Sequence, residues 1–188
     1  NRMFGDCTLL ASVVIGSGAF TVDFNAFAGV ASLAELTVDG NNPNYSSRDC
    51  VLFNKDQTTL IHYLYCFPRD YVIPGTVTTV GEGAFYGFKL MSSVVIPAGV
   101  TTIGPSAFYG CTGLSGVTIP IGVKKIDTKT FFGCTGLTAV SLPAGLESIE
   151  NEAFSGCTKL VTIPLPSTLV AIKTSAFLNC AGMTSLVI

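Results

Sequence analysis

Tryptophan is absent from this 188-residue sequence, histidine occurs once as His62, and charged residues make up only 12%. Ten basic and twelve acidic side chains leave a net charge of −2, so no basic surface for nucleic acid or for an anionic membrane is expected. His62 lies in an apolar stretch with no acid or nucleophile beside it, and reads as a packed or surface histidine. Asp6, Asp23, Glu82, Asp127 and Glu150 are scattered singly, so no carboxylate pair suits acid–base catalysis. Cys-x-x-Cys spacing is missing, which removes the usual zinc signature. No cofactor is expected, and an enzyme is the least supported class. Uninterrupted apolar runs are missing too. Leu90 to Val123 carries no charge, but Pro97, Gly99, Gly104, Pro105, Gly110 and Pro120 break it, so it is no membrane-spanning helix. Twenty Gly and nine Pro spread along the chain exclude long helices. No signal-peptide pattern is visible. Asn1 and Ile188 fall within the repeating pattern, so the sequence reads as a piece of a longer chain.

What is present is apolar and periodic. Apolar residues reach 48%. Phe85, Phe108, Phe131, Phe154 and Phe177 are spaced by 23 residues, as are Phe4 and Phe27. Three positions on come Cys7, Val30, Phe88, Cys111, Cys134, Cys157 and Cys180. Three further come Leu10, Leu33, Met91, Leu114, Leu137, Leu160 and Met183. An alternating pair follows, such as Val117 and Ile119 or Val140 and Leu142, which suits a short strand with one face inward. Proline then ends that strand at Pro74, Pro97, Pro120, Pro143 and Pro166. A second pair, such as Val100 and Ile103 or Val123 and Ile126, marks a return segment. One unit cannot bury its own Phe, Leu and Ile, but stacked units can. The expected fold is therefore a repeat solenoid: a stack of short parallel β-strands with turns or short helical corners, about seven coils, forming a single unit over residues 1–188. With strands about 4.8 Å apart the stack would be roughly 30 Å long.

The register slips once. Val38 and Ile73 occupy equivalent positions but lie 35 residues apart. Residues 39–72 read as an insertion that opens with the turn-rich Asp39-Gly40-Asn41-Asn42-Pro43-Asn44. Two apolar runs follow, Cys50 to Phe53 and Leu60 to Tyr65, which form a predicted β-hairpin.

Units of the form Ile-Pro-x-x-Val-x-x-Ile-Gly-x-x-Ala-Phe-x-x-Cys-x-x-Leu, clearest at Ile96 to Leu114, resemble the BspA-like leucine-rich repeats. The insertion, with Asn42-Pro43-Asn44-Tyr45 and Val51-Leu52-Phe53-Asn54-Lys55-Asp56, resembles a variant unit of that family. The resemblance covers essentially the whole chain. It implies a leucine-rich-repeat stack, extracellular or cell-surface display, and adhesion to proteins or between cells, without catalysis. Gly18, Gly99, Gly122, Gly145 and Thr168 stand where common leucine-rich repeats place Asn, so the turn after the strand is built differently. Cys50 stands where Gly is expected.

Several residues are candidates for function. Tyr45, Arg48, Tyr63, Tyr65, Arg69 and Tyr71 belong to types enriched at interfaces, and the insertion is the expected partner site. The alternative is that these tyrosines pack the hairpin on the stack. The outward positions of the main strand include Val14, Thr37, Val95, Thr118, Ser141 and Val187. They make a flat, nearly uncharged face that is either plain exposed sheet or a surface for another chain. Cys111, Cys134, Cys157 and Cys180 should form a column of small buried thiols, since parallel Cβ vectors suit bridging poorly. A disulfide between Cys50 and Cys66 is open in an oxidising compartment. Asn44-Tyr45-Ser46 is a glycosylation acceptor sequence at Asn44. The resemblance implies a protein or cell-surface ligand as partner. Two further readings are a fibre or coat subunit that self-associates through its ends or flat faces, and an ice-binding surface on the Thr/Val columns.

Overall fold

The computed structural model describes residues 4, 7, 9–18, 21–22, 26, 30, 32–64 and 70–186. It is a β-solenoid of about 6 turns, rather than the seven that the Phe positions suggest. Two strand ladders and a corner repeat along it.

The main ladder holds β1 (Ser12–Ile15), β2 (Glu35–Val38), β6 (Asp70–Val72), β8 (Ser93–Val95), β10 (Gly116–Thr118) and β12 (Ala139–Ser141). β1 pairs parallel with β2, β6 with β8 and β10 with β12, each offset by one 23-residue unit. The alternation read from sequence sets the faces: Val94, Val117 and Val140 point inward and their neighbours outward. The return ladder holds β7 (Thr79–Val80), β9 (Thr102–Ile103), β11 (Lys125–Ile126), β13 (Ser148–Ile149) and β14 (Ala171–Ile172), so the second apolar pair forms a short strand as well.

The corners are turns, which decides between the two forms left open above. In each, one set of N–H groups bonds back three residues, as Tyr86 N–H does to Gly83 O at 2.9 Å. The alternate set reaches the next coil: Phe85 N–H donates to Ala107 O at 2.7 Å and Phe108 N–H to Thr130 O at 2.9 Å. Each corner from Gly83 to Asn179 has two left-handed residues that permit this alternation, such as Ser106 (φ 54°) and Gly110 (φ 67°).

The phenylalanines stack as the period requires. Phe85, Phe108, Phe131, Phe154 and Phe177 follow one another at ring-centroid separations of 5.0, 5.3, 5.3 and 5.4 Å, nearly parallel. The cysteine column has a specific reason. Each thiol donates to the Phe carbonyl of the coil before it: Cys111 Sγ to Phe85 O at 3.1 Å, Cys134 Sγ to Phe108 O at 3.1 Å and Cys157 Sγ to Phe131 O at 3.2 Å. Each of these carbonyls also accepts the N–H three residues on, so the thiol fills a second lone pair that would otherwise be buried unmatched.

Between Asp39 and Val72 the chain adds β3 (Tyr45–Arg48), β4 (Val51–Asn54) and β5 (Thr59–Tyr63). β3–β4 and β4–β5 are antiparallel, so the hairpin expected from sequence is there with one strand more. Its first reversal is Asp49–Cys50, both left-handed at φ 50° and 53°, a tight turn in which Asn-Gly is the favoured pair. β5 then pairs in parallel with β7 and becomes a rung of the return ladder. β4 is buried on both faces. Leu52 packs with Ile15, Leu33 and Leu36 in one apolar cluster, while Val51 and Phe53 belong to the larger cluster of the later coils. The added strands thus form a layer inside the stack and divide its core.

Candidate functional site

A uniform stack consumes most side chains in its interior, so the site must be built from what remains outside. The main ladder leaves two outward side chains per strand. Val14 is 73% exposed and Val95 55%, and Thr37, Thr118 and Ser141 are exposed beside them. Val187 lies outside the described residues. Val72 joins this row at 67% exposure, paired with Val95. By sequence alone Val72 falls inside the insertion at residues 39–72. Its signal was the alternation Asp70-Tyr71-Val72-Ile73, one period before Ser93.

The row is not flat throughout. Over β8, β10 and β12 it sinks into an open groove of about 510 Å³ lined by Val94, Val95, Ile96, Gly116, Val117, Thr118, Ala139 and Ser141. Gly116 and Ala139 take the outward positions held by Glu35, Asp70 and Ser93 in earlier coils, and the missing side-chain volume makes the depression. No lining residue is charged. At its upstream edge Asp70 Oδ1 accepts Ser92 Oγ at 2.6 Å and Ser93 Oγ at 2.8 Å.

Among the described residues, the insertion's tyrosines follow the packing alternative, and none of them is fully exposed. Tyr63 is 2% exposed and sits at the base of the Phe column, 5.2 Å from Phe85 and 4.6 Å from Tyr71. It is a core residue, because β5 enters the stack at the Phe position. Tyr45 is half-buried, and its hydroxyl accepts Val22 N–H at 3.0 Å. Tyr71 is half-buried too, and burial pushes its phenol up to about 12. Arg48 alone of the described candidates is exposed, paired with Asp49 at 3.3 Å across water-exposed side chains that contribute little. Tyr65 and Arg69 lie outside the described residues. Asn44 is half-buried, just before β3.

Cys50 is buried, with its thiol donating to Ala34 O at 3.3 Å, while Cys66 lies outside the described residues. Burial raises the thiols of Cys111, to about 12, and of Cys134 and Cys157, which keeps them protonated and weakly nucleophilic. His62 is packed in β5, and desolvation lowers it from 6.5 to about 4 despite a backbone hydrogen bond at Gly83. Among the described residues no three His, Cys, Asp or Glu side chains are grouped to hold a metal, and no helix is long and apolar enough to cross a membrane.

Two features escaped the sequence reading. Asn42 is fully buried: its Nδ2 donates to Gly16 O at 2.7 Å, and its Oδ1 accepts the N–H groups of Asn44 and Tyr45 at 2.9 Å each. It fixes the start of the insertion to the first strand. A second aromatic column, Tyr86–Tyr109–Phe132, stacks half-buried outside the corner at 4.6 and 4.8 Å. Its spacing is the same 23 residues, hidden by Ser155 and Leu178 at the next two positions.

Residues 62–184 match six copies of the BspA type leucine-rich repeat region. No curated protein matches the chain. A leucine rich cell surface protein from Faecalibacterium prausnitzii has a similar solved structure, with a TM-score of 0.85 at 28% identity over 95% of this chain and 48% of that one. A leucine-rich repeat protein from Eubacterium ventriosum is similar with a TM-score of 0.58 at 27% identity, over 89% and 58% of the two chains. The pneumococcal vaccine antigen PcpA shares the fold with a TM-score of 0.81 at 22% identity, over 94% and 44%. The chain spans about half the length of the first of these proteins.

Proposed function

Because the chain belongs to the BspA-type leucine-rich-repeat family, we propose that it is a cell-surface protein-interaction module of adhesion type, without chemistry of its own, and that it holds its partner on the main-strand face. The observation that carries this reading is the groove over β8, β10 and β12. It is the place where an otherwise uniform stack gives up side-chain volume at Gly116 and Ala139 and leaves an apolar, uncharged floor. Val14, Thr37, Val72, Val95, Thr118 and Ser141 extend that surface along the ladder. Within each strand the backbone fixes which side chains face outward, so little side-chain order has to be gained on binding. Surface display is supported by the cell-surface protein from Faecalibacterium prausnitzii. The insertion is proposed as scaffold rather than contact surface, since Tyr63 is turned into the core and Tyr45 and Tyr71 are half-buried.

An array of extracellular-matrix and host-surface proteins, probed with the purified chain, tests the proposal. Binding should appear in the micromolar range or tighter and should fall at least about tenfold in Val95→Glu and Thr118→Lys, each of which places a charge in an apolar contact. Arg48→Ala should bind as the parent does. Binding that survives both groove substitutions and is lost in Arg48→Ala would return the site to the insertion.

A further inference from the structure

Among the described residues, one boundary between coils lapses on both strand sides; where β12 meets residues 162–164 the main side lapses alone, and β13 and β14 still pair on the return side. Where β6 meets β8, Ile73 N–H donates to Val95 O at 3.0 Å, and where β10 meets β12, Ile119 N–H donates to Ser141 O at 2.9 Å. The equivalent bond from Ile96 N–H to Thr118 O is missing, and β8 and β10 form no ladder although they are neighbours. The return side repeats this at the same boundary. Thr101 and Gly104 N–H reach Thr78 and Val80 O at 2.9 and 2.8 Å, and Glu147 and Glu150 N–H reach Lys124 and Ile126 O at 2.7 and 2.9 Å. Between them, Lys124 and Asp127 N–H make no such bond to Thr101 and Ile103 O, and β9 and β11 are unpaired.

The corner side of that boundary is whole. Ser106, Phe108 and Gly110 N–H donate to Thr128, Thr130 and Phe132 O at 2.9, 2.9 and 2.7 Å. Phe108 and Phe131 stack at 5.3 Å, and Cys134 Sγ donates to Phe108 O. Ser115 still reaches Ser92 O through its N–H and its hydroxyl, each at 3.2 Å, at the start of the main strand.

We infer that the solenoid carries a hinge between the coil of β8–β9 and the coil of β10–β11, with the Phe108–Phe131 corner as its axis and the main-strand groove as its mouth. In a stack where each coil touches only its neighbours, motion concentrates at the interface with the fewest bonds. Two ladders lapse here and one edge holds, so the two blocks swing about that edge. Opening widens the groove over Val94 and Val117, and closing narrows it. The inference rests on the ladders alone and stands whether or not the groove binds a partner.

Two measurements on the whole chain test it. In amide hydrogen exchange, Ile96, Lys124 and Asp127 should exchange at least about tenfold faster than their equivalents Ile119, Glu147 and Glu150. Equal protection overturns the hinge. Pulsed dipolar spectroscopy then reads the motion, with spin labels on non-canonical residues so that the native thiols stay untouched. Labels at Val72 and Ser141 span three coils on the main side, and labels at Glu82 and Asn151 span three on the corner side, about 14 Å in each case. A broad main-side distance distribution beside a narrow corner-side one is expected. Equal widths overturn the hinge even if exchange is fast.

Discussion

Gly104→Ala examines the close approach of the coils that carry β7 and β9. Gly104 is buried at the end of β9, facing the turn of the coil before it. A Cβ placed there would lie 2.8 Å from Glu82 N, 2.9 Å from Gly81 C and 3.1 Å from Glu82 Cα. All three are backbone atoms, so no side chain can rotate away. Relief requires the two coils to part by roughly half an ångström, against the Gly104 N–H to Val80 O bond of 2.8 Å. Forcing a methyl group into a packed interior costs about 1–3 kcal/mol. The bonded return ladder on this side keeps the expected value in the upper half of that range. Gly75→Ala is the matched control, since Gly75 is exposed and a Cβ there meets nothing within 4 Å. Removing glycine from the unfolded chain at such a site is worth about 0.4–1 kcal/mol of added stability. Urea unfolding followed by far-UV circular dichroism measures both variants. Equal midpoints for Gly104→Ala and Gly75→Ala would refute the claim that coil spacing is fixed at Gly104.

The state of His62 makes stability depend on pH. Its folded value near 4 lies below the unfolded 6.5, so the unfolded chain takes up a proton first as pH falls. The contribution is complete above pH 6.5 and is lost as pH falls toward 4, a difference of about 3 kcal/mol. Urea midpoints at pH 7 and 4.5 should therefore differ more for the parent than for His62→Leu, and parallel shifts in the two would contradict the assignment. Cys111, Cys134 and Cys157 should not react with an aromatic disulfide reagent at pH 8 until the chain is unfolded, while the exposed Cys7 reacts at once. Rapid modification of all the thiols in the folded protein would refute the buried column. Cys134→Ser keeps a donor for Phe108 O and should cost less than Cys134→Ala, by about 1 kcal/mol in thermal or urea unfolding.

Much of the architecture follows from local pattern alone. A 23-residue interval between Phe85, Phe108 and Phe131 places like on like, and a stack is the arrangement that buries the Phe, Leu and Ile at the repeating positions. The strand, the proline stop and the return segment follow from alternation and from proline's missing N–H, which act within a few residues of the chain. The inward and outward sides of Val94 or Val117 follow from the same alternation. These features belong to the sequence because neighbours in sequence settle them.

Other features depend on residues far apart in the chain. Tyr63 reads equally as an interface tyrosine or as one packing the hairpin, until β5 docks beside β7 and its ring packs against Phe85. Asn42 reads as a turn residue until its side chain meets Gly16 O across the first coils. The column of cysteines is visible in the spacing, but the carbonyl of Phe85, Phe108 or Phe131 that each thiol serves is not. The groove exists only because Gly116 and Ala139 lie side by side on adjacent strands, and the lapse of both ladders at one boundary has no signature in the repeat. Sequence determined the repeating unit, since its period sets which residues must be buried together. Tertiary structure decided how two particular coils meet, because backbone hydrogen bonds between coils depend on ångström-scale spacing that residue identity at one position does not encode.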